Sequence, residues 1–306
     1  MSVTPNFRKA RLGNRKILLR ETAVSYAFLL PALLFFTIFV LLPIIQGVIT
    51  SFYNYSLNTY DFIGLENYRR LMQDEVFLKS VVNTVVIVVG TVPIILIFAL
   101  YVANTIYQRH AFIRSFFRVV FYLPVVTGTV SVIVVWLFIF NPRVGVLNFV
   151  LKSLGVITQN ISWLGDPLFA LPAIMLVLLT TSIGQPIILY VASLGNIPTE
   201  LLEAAQIDGA NSRQVFRHIK WPLLMPTTLY IVVISTINSF QVFSLIQLMT
   251  SGGPFYATST VMYLLYEKAF TFYEFGYANA MGVLLAIVIS IFSLIQFKAF
   301  SRDVSY

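Results

Sequence analysis

The sequence lacks cysteine and has few charged residues. Without cysteine, disulfide bonds, thiolate metal sites and cysteine nucleophiles are excluded. Only 10% of the 306 residues are charged, whereas soluble domains usually have about 25%, and 58% of the residues are hydrophobic. A soluble protein of this composition would expose large apolar patches, so we expect most of the surface to contact lipid.

Signals for catalysis are also missing. No glycine is followed by lysine, so the chain has no phosphate-binding P-loop and no ATPase site of its own. The two histidines, His110 and His218, lie in separate connections without a carboxylate pattern beside them. We therefore expect no catalytic residues, no metal site and no cofactor bound by this chain.

Six long runs without Asp, Glu, Lys, Arg or His dominate the chain. Each has about 20 residues or more, which is the length that a helix needs to cross a bilayer. Transmembrane strands would alternate in polarity, and these runs do not. The sequence therefore predicts an all-α polytopic membrane protein with six spans, at Ala23–Phe52, Val81–Ala103, Val119–Phe140, Pro167–Ser193, Leu223–Met249 and Ala278–Phe297.

Basic residues predict the orientation of these spans. With a cytoplasmic N-terminus, 14 of the 20 Lys and Arg residues lie on the inside, so the positive-inside rule places both termini in the cytoplasm. Residues 1–22 form a basic cytoplasmic segment that suits contact with anionic membrane lipid rather than nucleic acid. Residues 23–300 form a single membrane domain, and residues 301–306 form a cytoplasmic tail.

The cytoplasmic segment 197–226 carries the densest pattern. Pro198 can start a helix, and Leu201, Leu202 and Ala205 are spaced to share one of its faces. Asp208-Gly209 signals its end, and Asn211 with Gln214 resembles a capping box for a second helix. These signals predict two short helices around a glycine turn. From periodicity alone, an amphipathic connector between two spans is an equally good interpretation.

The residue types in this segment resemble the EAA loop of ABC importer permeases. In that family the loop docks the cytoplasmic ATPase subunit and transmits its closure to the membrane helices. The resemblance implies that Gly209 makes the turn and that Glu203 can pair with a basic group on the ATPase. The coupling residues that it implies are Glu203, Ala204, Ala205, Asp208, Gly209 and Ala210.

The resemblance extends over nearly the whole chain. Ile63–Tyr68, Asn83-Thr84, Trp136 and Gly276–Ala278 are similar to segments of sugar-type permeases, and the pattern is closest to the sugar and glycerol-phosphate members. The loop after the fifth predicted span resembles the T-x-G-G-P loop of the family, which would face the solute-binding protein. The residues of this loop are Thr250, Gly252, Gly253 and Pro254.

Polar residues in the fourth and fifth predicted spans are candidates for a solute pathway. On a helix, positions 235, 238, 239 and 242 fall on one stripe, with Gln241 at its edge. In the family, Ser235 and Ser239 correspond to pathway positions, and Val242 loses a similar polar contact. Such residues also commonly join helices in membranes, so packing is the alternative. The candidates are Thr181, Gln185, Ser235, Asn238, Ser239 and Gln241.

The resemblance implies a type I ABC importer permease in the inner or plasma membrane of a bacterium or archaeon. Such a subunit forms half of the pathway for a carbohydrate, as a mono- or oligosaccharide or a related polyol. The implied partners are a second permease, expected to be a related but different chain, two ATPase subunits that bind ATP and Mg, and an extracytoplasmic solute-binding protein.

Two other classes of function remain open. A stand-alone secondary carrier would transport without ATP, but the absence of charge within the spans counts against a proton-coupled one. A membrane-bound enzyme would need acids, bases or metal ligands near the interface, and no such group of residues is evident.

Overall fold

In the computed structural model, residue 22 and residues 24–300 are described. The predicted basic segment 1–22, apart from residue 22, and the predicted tail 301–306 lie outside the described residues. The chain is mainly helical, and its elements are α1 (Val24–Thr50), β1 (Tyr53–Tyr55), β2 (Tyr60–Phe62), α2 (Glu66–Gln73), α3 (Glu75–Tyr107), α4 (Ala111–Thr127), α5 (Thr129–Ile139), α6 (Val146–Ser153), α7 (Pro167–Gly195), α8 (Thr199–Ile207), α9 (Ser212–Phe240), α10 (Ser244–Met249), α11 (Val261–Tyr266) and α12 (Phe275–Phe300).

Five of these helices are long and apolar enough to span a membrane, namely α1, α3, α7, α9 and α12. The third predicted span is different, because α4 and α5 meet at an angle of 100°. The bend lies at Gly128, whose positive φ of 86° favours glycine and ends α4. The prediction of six spans is confirmed as five continuous helices and one bent pair, and the prediction of one continuous helix over Val119–Phe140 is wrong.

The fifth predicted span is also shorter than expected. Helix α9 ends at Phe240, and the separate short helix α10 begins at Ser244. The side chains of Val242 and Ile246 are buried beside Ile133 and Ile174 in one apolar cluster. The continuous run Leu223–Met249 therefore contains a break, because hydropathy measures apolar length and does not detect a change of direction.

A small β-hairpin follows α1 and departs from the all-α prediction. Its strands pair antiparallel, with Tyr53 opposite Phe62 and Tyr55 opposite Tyr60. The Tyr53 and Tyr60 rings stack with their centroids 4.7 Å apart. A Cβ atom on Gly276 would lie 2.0 Å from the Tyr53 carbonyl oxygen, so this glycine lets the hairpin pack directly on the start of α12.

The buried core is divided among three apolar clusters. One lies around α5, α7 and α10, the second joins α2 and α3 to α11 and α12, and the third joins α3, the end of α7 and the start of α9. By contrast, many large apolar side chains are exposed, including most of those on α1. Since soluble proteins rarely expose such continuous apolar surface, these faces are suited to lipid or to another membrane subunit.

Candidate functional site

A polar cleft lies between α7 and α9, and α3 and α4 close its other sides. Its volume is about 120 Å³. Four of the six predicted pathway residues line it together, two from each of the main helices. They are Thr181, Gln185, Ser235 and Asn238.

A local break in α7 places Gln185 in this cleft. The α-helical hydrogen bonding is interrupted between Ser182 and Gly184, and Pro186 contributes no N–H group. A Cβ atom on Gly184 would lie 2.3 Å from the carbonyl oxygen of Phe121, so glycine allows α4 to approach the α7 backbone. Gly184 and Pro186 are buried against this contact, and Gln185 between them is exposed to the cleft.

The chemistry of the cleft is uncharged. Hydroxyl and amide groups from α7 and α9 line it together with apolar side chains such as Ile95 and Val125, and none of the described residues that line it is charged. Tyr230 and Ser182 also line the cleft but were not predicted from the sequence. The spacing of Tyr230, Ile234 and Asn238 at four-residue intervals could have indicated that Tyr230 shares a face with Asn238.

The other two predicted pathway residues lie elsewhere. Ser239 is buried, and its hydroxyl lies 3.3 Å from the hydroxyl of Thr91 on α3. Gln241 is exposed at the C-terminal end of α9. Val242 is not part of the predicted helical stripe, because α9 has already ended and its side chain is buried in the apolar cluster with Ile246.

The predicted coupling residues form a helical hairpin, which here means α8, the turn at Gly209 and the start of α9. Gly209 has a φ of +75°, with open space around it. The N–H of Ala210 donates to the carbonyl of Ala205 at 2.9 Å, and the N–H of Gly209 donates to Gln206 at 3.1 Å. These two bonds make a Schellman motif, so the predicted glycine turn is confirmed.

The second helix of the hairpin begins with the predicted capping box. The Gln214 N–H donates to Asn211 Oδ1 at 2.9 Å, and the Asn211 N–H donates to Gln214 Oε1 at 2.8 Å. A π-helical turn over Phe216–Lys220 then leads into the membrane-spanning part of α9. The second helix of the helical hairpin therefore continues into the membrane-spanning part of α9 without an intervening loop.

Exposure divides the hairpin into a tip and a base. Glu203, Ala204, Asp208 and Gly209 are exposed, and Ala205 and Ala210 are half-buried. Ile207, which was not singled out from the sequence, is 87% exposed beside them. At the base, Leu202 and Ile219 pack against the apolar cluster of α3, α7 and α9, whereas Leu201 is exposed and does not share their face. The tip therefore presents small, acidic and apolar groups that are free to contact another protein.

The outer loop, residues 250–260, is packed against other parts of the chain, unlike the exposed tip of the helical hairpin. Thr258 Oγ1 lies 2.7 Å from Thr250 Oγ1 and donates to the Gly253 carbonyl at 2.7 Å. Gly252 is buried with a φ of +77°, and a Cβ atom there would lie 2.6 Å from the Tyr263 ring. Gly253 and Pro254 are half-buried. The predicted Thr250–Pro254 loop is thus a closely packed turn.

Long-range hydrogen bonds fasten the outer loop to α3. Asn83 Nδ2 donates to the carbonyls of Tyr256 and Ser259, both at 2.9 Å, and Ser80 donates to the Ser259 hydroxyl at 2.9 Å. The ammonium group of Lys79 donates to the Phe255 carbonyl at 2.7 Å. The Phe255 side chain remains 84% exposed at the tip of the loop.

Charged groups are otherwise sparse. Within residues 24–300, the ion pairs join Glu274 to Arg70 and to Lys268, at 3.9 and 3.7 Å. In the same part of the chain, no three His, Asp or Glu side chains gather as metal ligands.

Comparison with known proteins identifies the family. A family model described as the binding-protein-dependent transport system inner membrane component matches residues 72–306. The probable ABC transporter permease YurN of Bacillus subtilis is 35% identical over 282 residues, which cover 90% of this chain and 96% of the relative. The multiple sugar-binding transport system permease MsmF of Streptococcus mutans is 33% identical, with 90% of this chain and 94% of that protein covered.

Solved structures have the same fold. A crystal structure of a bacterial ABC transporter involved in the import of alginate matches with a TM-score of 0.81 at 24% identity, covering 96% of this chain and 100% of that one. The match confirms the predicted permease fold. Since the family model spans most of the sequence, this chain belongs to the inner membrane components of binding-protein-dependent transport systems and is a multi-pass permease subunit of an ABC importer.

Proposed function

We propose that this subunit forms half of the pathway through which an ATP-driven importer carries a neutral carbohydrate. The observation that carries this proposal is the gathering of Thr181, Gln185, Ser235 and Asn238 in one uncharged cleft beside Tyr230. Hydroxyl and amide groups exchange hydrogen bonds with sugar hydroxyls, and an aromatic ring covers the apolar C–H face of a sugar. The uncharged hydroxyl and amide groups among the described lining residues suit a neutral sugar or polyol on the wall that this chain supplies.

The names of relatives support a carbohydrate substrate. Besides MsmF, they include a diacetylchitobiose uptake permease of Streptomyces coelicolor, 33% identical over 96% of this chain, and a lactose transport permease of Rhizobium radiobacter, 31% identical over 90%. Another relative, a permease of Agrobacterium fabrum that is 31% identical, is named for sn-glycerol-3-phosphate. The names therefore agree on a carbohydrate or a related polyol and differ in its charge.

A second permease chain completes the pathway in this proposal. Ligand pockets for small molecules usually enclose about 300–1,000 Å³, and the cleft of this chain holds about 120 Å³. One chain therefore supplies one wall only. The exposed apolar faces of α1 are available for contact between the two membrane subunits or with lipid. We expect a related but different chain as the partner.

The helical hairpin, within the segment 197–226, is the proposed docking site for one of two cytoplasmic ATPase subunits, which bind ATP and Mg. Its exposed tip offers Glu203 for a charge-assisted contact and Ile207 for an apolar one. The direct connection through the π-helical turn to α9 gives a route by which movement of the hairpin reaches Ser235 and Asn238. ATP binding would thus change the side of the membrane to which the cleft is open.

The outer loop, including Thr250, Gly252, Gly253 and Pro254, is the proposed contact for an extracytoplasmic solute-binding protein. Its hydrogen bonds to α3 fix the backbone at Phe255 and Tyr256, and the Phe255 ring is exposed beside them. A pre-organised contact loses less conformational freedom when a partner binds. In this assembly the cytoplasmic termini, segments 1–22 and 301–306, flank the membrane domain 23–300.

Co-purification tests the assembly. The tagged chain, solubilised gently from its native membrane, should recover an ATPase and a second permease, and the ATPase activity of the complex should rise when a sugar-loaded binding protein is added. Recovery of a chain that moves solute into vesicles without ATP would contradict the proposal and support a secondary carrier.

Substitution in the cleft tests the pathway. Asn238→Leu should change the order of preference among neutral sugars in an uptake assay, because the cleft loses an amide that can bind hydroxyls. Ser239→Ala is the matched control, since Ser239 contacts Thr91 outside the cleft and should leave the preference unchanged. Equal preference in the wild type and in Asn238→Leu would show that these residues serve packing.

A further inference from the structure

An amphipathic groove runs between the end of α3 and the beginning of α4, apart from the cleft, the helical hairpin and the outer loop. Its volume is about 430 Å³. Most of the described residues in its wall are apolar, and Arg109, in the turn between α3 and α4, is the one charged residue among them. The residues that matter here are Val102, Ile106, Ile113, Phe117, Phe121 and Arg109.

A polar recess lies beside the charged end of this groove. The recess has a volume of about 320 Å³ and is lined by Asn104, Thr105, Gln108 and Arg109. Thr105 and Arg109 line both spaces, so the apolar groove and the recess are adjacent. A ligand that fills both must have an apolar chain attached to a polar head.

The charged residues around the recess indicate the sign of the charge on that polar head. Arg109 is exposed and forms no ion pair with any residue in the described part of the chain. The surrounding segment 104–118 contains three arginines and neither Asp nor Glu. In addition, the ammonium group of Lys220 donates to Asn104 Oδ1 at 3.3 Å and brings a second cation to the border of the recess. These groups favour an anion.

The position of the recess along α3 fits the depth of a lipid headgroup. Lys79 and Tyr107 lie near the two ends of this helix, and 28 residues at 1.5 Å each separate them by about 42 Å. A bilayer with its headgroup regions is about 40–45 Å thick. With Lys79 at one membrane surface, Arg109, just beyond Tyr107, would lie at the depth of the phosphate groups of the other, and the apolar groove would extend from it along the hydrocarbon region.

We propose that this groove binds one anionic phospholipid, with its phosphate at Arg109 and one acyl chain between Ile106 and Phe117. The lipid would link the α3–α4 turn to Lys220, which lies directly after the helical hairpin. This inference requires only that the chain spans a membrane. It does not depend on which solute is transported or on which proteins dock.

Native mass spectrometry of the full chain, in the complex with which it purifies, tests the proposal. The delipidated complex is titrated with phosphatidylglycerol and, separately, with phosphatidylcholine of the same chain length. We expect preferential retention of phosphatidylglycerol, and Arg109→Gln should weaken that retention roughly fivefold or more, since one arginine near a membrane surface contributes about 1 kcal/mol. Arg213→Gln, an exposed arginine of the helical hairpin, is the matched control and should leave retention unchanged.

A second pair of variants tests the apolar wall. Phe117→Ala should weaken phosphatidylglycerol retention, whereas Phe112→Ala should not, because Phe117 lines the groove and the exposed Phe112 on the same helix does not. Soluble glycerol phosphate should fail to compete with the lipid, since it lacks an acyl chain. Equal retention of the two lipids, equal effects of Arg109→Gln and Arg213→Gln, or full competition by glycerol phosphate would each overturn the proposed lipid site.

Discussion

The helical hairpin before the membrane-spanning part of α9 and the outer loop after α10 are held in place by different means. The hairpin takes its shape from bonds between near neighbours, such as Ala210 to Ala205 and Gln214 to Asn211. The outer loop also has local bonds, such as Thr258 to the Gly253 carbonyl, but residues more than 170 positions away, above all Asn83, fasten it to α3. One connection is an exposed, self-contained unit, and the other is part of the buried structure.

This difference indicates how each connection can work. A unit that is shaped locally can move as a body with α9, which suits transmission of a movement from a docked partner. A loop fixed to α3 cannot change shape without breaking buried hydrogen bonds, which suits a pre-formed contact surface. Variants that remove the local bonds of the hairpin should therefore destabilise the protein less, and over fewer residues, than variants that remove the bonds between the outer loop and α3.

The largest effect is expected for Asn83→Leu. The substitution leaves the buried Ser259 carbonyl without the Asn83 donor and removes one of the two donors to the Tyr256 carbonyl, and a buried unsatisfied group costs about 1–3 kcal/mol. A thermal unfolding assay in detergent should show a clear loss of stability, and limited proteolysis should cut within residues 250–260. Asn58→Leu, at an exposed position in the turn of the β-hairpin, is the control and should behave like the wild type.

An intermediate effect is expected for glycine substitutions, which compare the two connections directly. Gly209 and Gly252 have nearly the same φ, at +75° and +77°, so alanine meets a left-handed cost of about 1–2 kcal/mol at either position. Only at Gly252 does the new Cβ also meet a buried ring, that of Tyr263. Gly252→Ala should therefore lower the unfolding temperature more than Gly209→Ala does. Equal losses would show that the outer loop relaxes as freely as the hairpin.

The smallest effect is expected for Asn211→Ala. Loss of an N-cap costs about 0.5–2 kcal/mol, and here the helix end is exposed. Hydrogen exchange should accelerate at the amides of residues 212–215 and remain unchanged at residues 250–260. Faster exchange in both regions would mean that the stability of the outer loop depends on the hairpin. That result would contradict the view that the two connections are held in place independently.

The same distinction explains which features could be predicted from the sequence. The Gly209 turn and the Asn211–Gln214 capping box were predicted because their signals lie within a few residues of each other. The partners of Asn83 could not be, since nothing in the sequence around this residue points to the carbonyls of Tyr256 and Ser259. In the cleft, residue type and helical spacing predicted Asn238, whereas the burial of Ser239 against Thr91 depends on how α3 and α9 cross.

Changes in the direction of the backbone could not be predicted from the sequence either. The run around Gly128 is apolar on both sides, so hydropathy could not show that the chain bends there by 100°. The end of α9 at Phe240 was hidden for the same reason. The β-hairpin did leave a signal, because aromatic residues alternate at Tyr53 and Tyr55 and again at Tyr60 and Phe62. The alternation covers only three residues in each strand, which is too short to distinguish a hairpin from a loop by pattern alone.

The orientation of the termini stays a prediction. It depends on the distribution of basic residues, and a reporter fused after Tyr306 should be found in the cytoplasm. An external reporter would invert the assignment of the helical hairpin and the outer loop to their partners.

The most direct test of the account measures ATP hydrolysis and sugar uptake together in vesicles that contain the purified complex. Glu203→Ala should lower uptake per ATP hydrolysed, because the exposed tip of the helical hairpin loses its charge-assisted contact, and Glu200→Ala, on the first turn of the same helix, should keep the wild-type ratio. Uptake in every variant should cease without ATP. Uptake that continues without ATP, or an unchanged ratio in Glu203→Ala, would contradict the proposed coupling of ATP hydrolysis to import.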